Sequence, residues 1–285
     1  MSQIKISVII PTYHRNELLR KCLDRLKPGV QTLPADQYEV IVTDDGSKTT
    51  AEEMIRDDYP WVKWVAAPRK GPAANRNNGA KHAQSEWLAF TDDDCLPEPD
   101  WLSAFVASTK GSPLALEGAI HPLGDYDNQD LNSCPINLSG GAFWSANIAV
   151  HRALFEKVEG FDPNYPYPYH EDVDLKDRVS LNTTILFVPE AIVFHPVERA
   201  TLKEAIAVIP KRSIATAYHM NKHRESFGSS EDVLSLTFFQ FKYSLLRLLH
   251  FLRERKPKSS FVWFIELLVG VPLIGIYLRR FRKSS

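Results

Sequence analysis

The sequence predicts an α/β protein built on a mostly parallel sheet with flanking helices, followed by an apolar, basic helical tail. Three observations lead there. Strand-like and helix-like hydrophobic runs alternate over the first 108 residues. Three polar clusters each stand where a strand run ends. Lys and Arg are concentrated at the C-terminal end. The 285 residues allow one large domain with an appendage, and 44% hydrophobic with 24% charged residues excludes a disordered chain.

The elements follow from local pattern. Residues 4–10 form a β-branched run stopped by Pro11, which reads as a buried strand. In 14–26, Leu18, Leu19, Cys22, Leu23 and Leu26 recur on one helical face. Residues 38–43 read as a second strand, ending in Asp44-Asp45-Gly46-Ser47, then 49–58 as a helix and 61–66 as a third strand. Gly71-Pro72 opens a helix to about His82, with Pro72 at a first helical position that needs no N–H. A fourth strand, 86–90, runs into Thr91-Asp92-Asp93-Asp94, and 99–108 is helical. This β-α-β-α-β-α-β order predicts a parallel sheet, whose ligands bind beyond the strands' carboxyl ends. Pro11-Thr12-Tyr13, Asp44-Asp45 and Asp92-Asp93-Asp94 all fall there.

After residue 113 the alternation weakens. Short strands are expected at 114–120, 137–138, 148–150, 184–188 and 192–194, with a polar loop at 121–135. Helices are expected at 172–181 and, as one long element, at 201–224.

Net charge is −1, but residues 242–285 hold ten Lys/Arg against two acids, Glu254 and Glu266. The rest holds 24 Lys/Arg against 33 Asp/Glu. An acidic body with a basic tail points to an anionic surface such as phospholipid headgroups. Three cysteines with no CxxC pair exclude a disulfide framework or zinc ribbon and fit a reducing compartment. The run at 6–10 is too short for a signal peptide.

Each cluster has a plain and a functional reading. Three adjacent carboxylates repel unless a cation neutralises them, and hard cations such as Mn²⁺ or Mg²⁺ take oxygen ligands; the alternative is a solvated acidic turn. Asp44-Asp45 is either a turn and cap or an acceptor for a base N–H or ribose hydroxyl. Arg76, near a helix N-terminus, suits a phosphate, or is an ordinary surface Arg. Asp172 is either a favoured acid at a helix start or a general base. His195 ends a strand as a packed histidine or a metal ligand. Trp144 and Tyr165, Tyr167 and Tyr169, leading into Glu171, either stack on sugar rings or stiffen a loop.

Together these segments resemble glycosyltransferase family 2. Val8-Ile9-Ile10-Pro11-Thr12-Tyr13-His14-Arg15 looks like its opening strand and turn. Val42-Thr43-Asp44-Asp45-Gly46-Ser47 looks like its nucleotide-binding segment. The stretch 71–79 with Arg76 resembles its G-x-A-x-A-R-N-x-G helix, with Asn75 where many relatives carry Ala. Phe90-Thr91-Asp92-Asp93-Asp94 followed by Pro99-Asp100-Trp101-Leu102 resembles its DxD strand and next helix. Gly141-Ala142-Phe143 through Asn147, Gly160-Phe161-Asp162 and 171–178 resemble its acceptor half, so the resemblance covers roughly 4–195.

The resemblance implies a GT-A fold over 1–230: a nucleotide-binding half at 1–112, an acceptor and catalytic half at 113–200, and a helix at 201–230. A tail at 231–285 follows. It implies inverting, metal-dependent transfer from a nucleotide-sugar, with uridine diphosphate as nucleotide, to a glycan or lipid-linked acceptor. Pro11, Thr12, Tyr13, Arg15, Asp44, Asp45, Arg76, Asp92 and Asp93 would hold the donor. Asp94, Asp92 and His195 would hold Mn²⁺ or Mg²⁺. Asp172 would be the base, and Trp144, Tyr169 and Glu171 would meet the acceptor. A nucleotidyltransferase would want a Gly-rich, basic loop after the first strand, where Pro11-Thr12-Tyr13 stands. An inactive scaffold fits poorly with the complete set Arg76, Asp92, Asp94 and Asp172.

In the tail, 233–252 is apolar with a polar stripe at Gln240, Ser244, Arg247 and His250, as in a helix lying in an interface. Residues 261–278 are apolar except Glu266 and would span ~27 Å as a helix. Basic clusters at both ends favour a re-entrant or in-plane arrangement at the cytosolic face of a membrane over a single crossing. Helices packed in a homodimer are the rival reading, and nucleic acid is not an expected partner.

Overall fold

A computed structural model describes residues 3–111, 113–124, 126, 130–227 and 232–283. The chain forms two compact units. The first comprises 1–124, 134–163 and 171–196; the second comprises 125–133, 164–170 and 197–285. The division falls at Pro196, not at residue 230.

The first unit is an eight-stranded mixed sheet. Its parallel half is β1 (Ile6–Thr12), β2 (Tyr38–Asp44), β3 (Val62–Ala66) and β4 (Trp87–Phe90). To these are added β5 (Leu96–Pro97), β6 (Ala115–Leu123), β8 (Ile148–His151) and β9 (Ile185–Pro196), whereas β7 (Asn132–Ser133) belongs to the second unit. Sheet order is β3-β2-β1-β4-β8-β6-β9-β5. Strand β8 runs antiparallel to both β4 and β6, while β6 and β9 are parallel.

Helices α1 (Asn16–Leu26), α2 (Glu52–Asp58), α3 (Pro72–His82), α4 (Trp101–Ser108), α5 (Arg152–Lys157) and α6 (Glu171–Ser180) cover it. Alternation along β1 sorts its side chains between two cores. Ile6, Val8 and Ile10 join the cluster with Leu19, Leu23 and Trp101, and Ile9 joins Phe90, Phe155 and Phe161 on the other face. Full burial of each such side chain contributes roughly 1.5–3 kcal/mol. Gly79 lets α3 lie close on β1, since a Cβ there would sit 2.5 Å from Ile9 Cγ2.

After residue 113 the structure differs from the sequence reading in four places. The expected loop at 121–135 is partly strand: β6 continues to Leu123, and β7 pairs with β10 (Glu198–Arg199). Residues 137–138 form no strand, because Asn137 makes only one bridge, to Ile120. The two strands expected at 184–194 are one, β9, with a register shift opposite Gly118 and Ala119. The long helix expected at 201–224 is broken. A capping box of Thr201 and Glu204 starts α7 (Leu202–Ala207), and Pro210 restarts the chain as α8 (Ile209–Lys222) because it cannot donate into a continuing helix.

The second unit also holds α9 (Val233–Arg253) and one continuous helix, Pro257–Lys283, made of α10 (Pro257–Ile265), a π-turn at Glu266–Gly270 and α11 (Val271–Lys283). Among the described residues it is the one helix long and apolar enough to cross a membrane. Its core joins Ala217 and Met220 of α8, Leu236 of α9 and Ile274 and Leu278 of α11.

Candidate active site

The residues singled out in the sequence gather at the carboxyl edge of the first unit's sheet. Register places Thr12 beside Asp44, and the acidic turn follows β4 on the other side of β1. Asp93 is buried; it accepts from Thr12 Oγ1 at 2.8 Å and pairs with Arg15 at 3.1 Å. Arg15 also pairs with Asp94. Burial pushes the Asp93 carboxyl up to about 7, against the pull of Arg15.

Asp94 turns its other oxygen, Oδ1, towards His195 Nε2 at 3.7 Å, and that oxygen has no hydrogen-bond partner. His195 Nδ1 lies 2.8 Å from the carbonyl of Pro196, so Nδ1 carries the proton and Nε2 presents a lone pair. Two acceptors facing across a buried gap suit a cation between them. Ligand atoms of Asp92, Cys95 and His195 also lie within 4.8 Å of one another. Burial holds the Cys95 thiol well above its usual range.

Asp44 and Asp45 hold the backbone. Asp44 accepts from the N–H groups of Gly46 (2.7 Å) and Ala51 (2.6 Å) and from Trp64 Nε1 (3.2 Å). Asp45 accepts from Arg69 N (2.8 Å) and Gly71 N (3.0 Å), tying β2 to the entry of α3. Beside them Tyr13 is 58% exposed, with its ring against His14, an open aromatic face at the sheet edge. Pro11 is buried at the end of β1.

Arg76 is buried among carboxylates. It donates to Asp92 Oδ1 at 2.7 Å and lies 3.7 Å from Glu171, with Phe161 against its guanidinium. Its pKa is raised, because the negative field of Asp92, Asp172 and Glu171 outweighs burial. Burial lifts Glu171 to about 7, helped by Asp172. Asp172 is likewise raised by burial, opposed first by Arg76. Its Oδ2 accepts from Ser145 N at 3.2 Å, and its buried Oδ1 has no hydrogen-bond partner.

These shifts set a stability profile. Asp93 and Glu171 ordinarily titrate at 3.8 and 4.5 but reach about 7 when folded. The folded chain therefore holds protons the unfolded chain has lost, so their contribution favours folding in acid and fades as pH rises from about 4 to 7. Melting temperature without divalent cation is expected to fall over that window, and Mn²⁺ should raise it more at pH 8 than at pH 5.5. Equal Mn²⁺ effects at both pH values would count against carboxylate ligation.

Sequence reasoning missed Glu117. This β6 side chain is buried and accepts from the N–H groups of Gly141 (2.5 Å), Ala142 (3.1 Å) and Phe143 (2.8 Å) and from Asn137 Nδ2 (3.1 Å). The turn needs Gly140 at φ 83, and a Cβ there would approach Phe187 Cβ to 2.9 Å. The same loop carries Trp144, packed at the first core's margin, and Ser145, which donates to Asp172. A lone Glu inside the apolar run 114–120 was the available signal. Glu117→Ala would strand the buried N–H of Phe143 and the part-buried N–H groups of Gly141 and Ala142, and should cost about 3 kcal/mol or more, read by thermal melt.

Tyr165, Tyr167 and Tyr169 belong to the second unit. There Tyr165 Oη shares a hydrogen bond with His219 Nδ1 at 2.8 Å, and Lys211 lies over the Tyr167 ring.

The mixed sheet with flanking helices and acidic loops at one edge has the GT-A fold. Residues 7–129 match the Glycosyl transferase family 2 model, and the chain carries a domain of that family. It is 28% identical over 204 residues to Glycosyltransferase AglE of Haloferax volcanii, covering 67% of this chain and 66% of that protein. The matched stretch spans from about half to two thirds of the length of its curated relatives. Among solved structures, the mannosyltransferase PcManGT of Pyrobaculum calidifontis in complex with GDP-Man and Mn²⁺ superposes with TM-score 0.57 at 17% identity, covering 100% of this chain and 77% of that one. TarS 1–349 of S. aureus in complex with UDP-GlcNAc gives TM-score 0.57 at 17% identity, covering 99% and 92%.

Proposed function

We propose that this chain transfers a sugar, with inversion, from a nucleoside diphosphate donor to a hydroxyl of a glycan or lipid-linked acceptor. The observation that carries the reading is a pair of buried, unpartnered carboxylate oxygens: Asp94 Oδ1 opposite the His195 lone pair, and Asp172 Oδ1. A divalent cation held by Asp94, Asp92 and His195, Mn²⁺ or Mg²⁺, would neutralise the leaving diphosphate. The similarity to a neighbour in complex with Mn²⁺ and GDP-Man supports a cation of this kind. Family resemblance favours uridine as the base.

The chain's own groups divide the remaining work. Tyr13 offers its exposed face to the nucleobase, and Thr12, Pro11, Asp44 and Asp45 shape the pocket edge around it. Arg15, 42% exposed at its side chain and paired with Asp93 and Asp94, offers a cation to a phosphate at this edge. Arg76 and Asp93 hold the acidic turn in place. Asp172 accepts the acceptor hydroxyl's proton through Oδ1 while Ser145 fixes Oδ2, with Glu171 and Trp144 as acceptor contacts.

Calorimetry with UDP tests the donor half. Wild type should bind UDP with Mn²⁺ and lose most affinity in EDTA, and Asp94→Asn should bind equally weakly under both conditions. Undiminished UDP binding and turnover in EDTA would refute the cation assignment. One base without an enzymic nucleophile implies single displacement, so an α-linked donor should give a β-linked product by NMR. A retained anomeric configuration would overturn that mechanism.

A further inference from the structure

The second unit presents apolar side chains on its outside as well as in its core, and it places several polar ones among its buried residues. On α9 the buried positions include Gln240 and Ser244, whereas Leu234, Phe238, Leu246 and Leu249 are 53–65% exposed. The helix Pro257–Lys283 repeats the pattern. Ser259, Ser260 and Glu266 are buried, and Phe261, Phe264 and Leu268 face outward. Of the twenty large hydrophobic residues exposed among the described residues, thirteen lie in 233–283. An apolar outer face of this extent is stable against an apolar medium rather than water. Small residues permit the inner contacts: Gly275 lies against Thr237, and Gly270 leaves room for the Glu266 side chain.

Internal ties determine how the long helix can lie. Its first turn is held by Asp130, which accepts from Lys258 N (2.6 Å), Ser259 N (2.8 Å) and Ser259 Oγ. Its middle is held by Glu266, which receives Arg212 of α8 at 2.7 Å. Its last turns pack on α8 through Ile274 and Leu278, and Phe281 meets Tyr218 edge-on. Asp130 precedes β7, and α8 carries Lys211, Arg212 and Lys222, so the partners at both ends are polar segments suited to water. A helix of 27 residues is ~40 Å long, and a crossing would carry one of these partners through the hydrocarbon.

Charge selects the occupant. Four Lys/Arg stand between 253 and 258 and four between 279 and 283, while Glu266 is neutralised internally by Arg212. Two copies meeting through this face would juxtapose like charges, whereas an anionic headgroup layer complements them at ~1 kcal/mol per residue. We infer that the second unit is an in-plane membrane platform: α9 and the helix Pro257–Lys283 lie parallel to an anionic bilayer surface, sink their outer faces into the acyl boundary and do not cross it. The inference is independent of the donor chemistry above.

The test uses the full chain with preformed vesicles. The protein should float with vesicles of equimolar phosphatidylcholine and phosphatidylglycerol, and bind phosphatidylcholine alone at least about tenfold more weakly. Phe238→Glu/Leu249→Glu/Leu268→Glu alters only exposed positions. It should abolish flotation while thermal melt and UDP binding stay unchanged. To separate lying from crossing, single cysteines are placed at Glu254→Cys or Lys283→Cys in a Cys134→Ser background. A membrane-impermeant thiol reagent added outside should label both sites on vesicle-bound protein. Labelling at one end only would show a crossing helix and overturn the inference. So would flotation that survives the triple substitution. A full-length dimer by light scattering that ignores vesicles and dissociates with the triple variant would assign the face to a second copy and equally overturn it.

Discussion

Asp172→Asn is expected to lower kcat by ~10²-fold or more while UDP binding is retained. The amide keeps the side chain's shape and still accepts from Ser145 N, so the loop at 141–145 stays in place. What disappears is the unpartnered carboxylate oxygen Oδ1, whose place an amide NH2 takes without being able to accept a proton. Burial has already raised this carboxyl above its ordinary range. The wild-type rate should therefore fall as pH drops through that raised pKa, and the asparagine variant should lack the acid limb. Calorimetry showing that UDP affinity falls together with kcat would make Asp172 a binding residue. An unchanged kcat would remove it from the mechanism.

Arg76→Met should be the most destabilising single change near the site, costing about 3–5 kcal/mol, because it leaves buried carboxylates without their cation. Asp92, Glu171 and Asp172 all lie in its field, and methionine fills the volume without the charge. The sign with pH follows from the raised Glu171 and Asp172. Without Arg76 they hold protons still more tightly, so the variant escapes part of the penalty in acid and pays it fully above pH 7. Adding Glu171→Gln to Arg76→Met should recover part of the loss, since one of the repelling charges is gone. A variant melting like wild type at pH 8 would show that Arg76 is not the counter-charge of this cluster.

Residues 1–112 were legible because each signal there is local. Alternating β-branched runs, Pro72 at the first turn of α3, and Asp44 and Asp92 at strand ends all place residues at one sheet edge before any tertiary contact is known. The later half was harder because its pairing partners are distant in sequence. Strand β8 inserts antiparallel between β4 and β6, and β9 joins β6 from about seventy residues further on. A short apolar run cannot announce such partners. The break at Val208 follows from Pro210, whose missing N–H cannot continue the preceding helix.

By itself the sequence determined the α/β order, the acidic loop ends and the concentration of positive charge near the C-terminus, since periodicity and composition are properties of neighbouring residues. Tertiary structure decided which oxygens remain free. Asp44 and Asp45 spend theirs on backbone N–H groups, whereas Asp94 and Asp172 each keep one buried oxygen unpartnered, and Glu117 became an anchor for the loop beside Asp172. It also decided that Gln240, Ser244 and Glu266 point inward beside Leu236 and Leu278, while Leu234, Phe238, Leu246, Leu249 and Leu268 point outward. A helical stripe specifies that two faces differ; only the helices packed against it determine which face is enclosed.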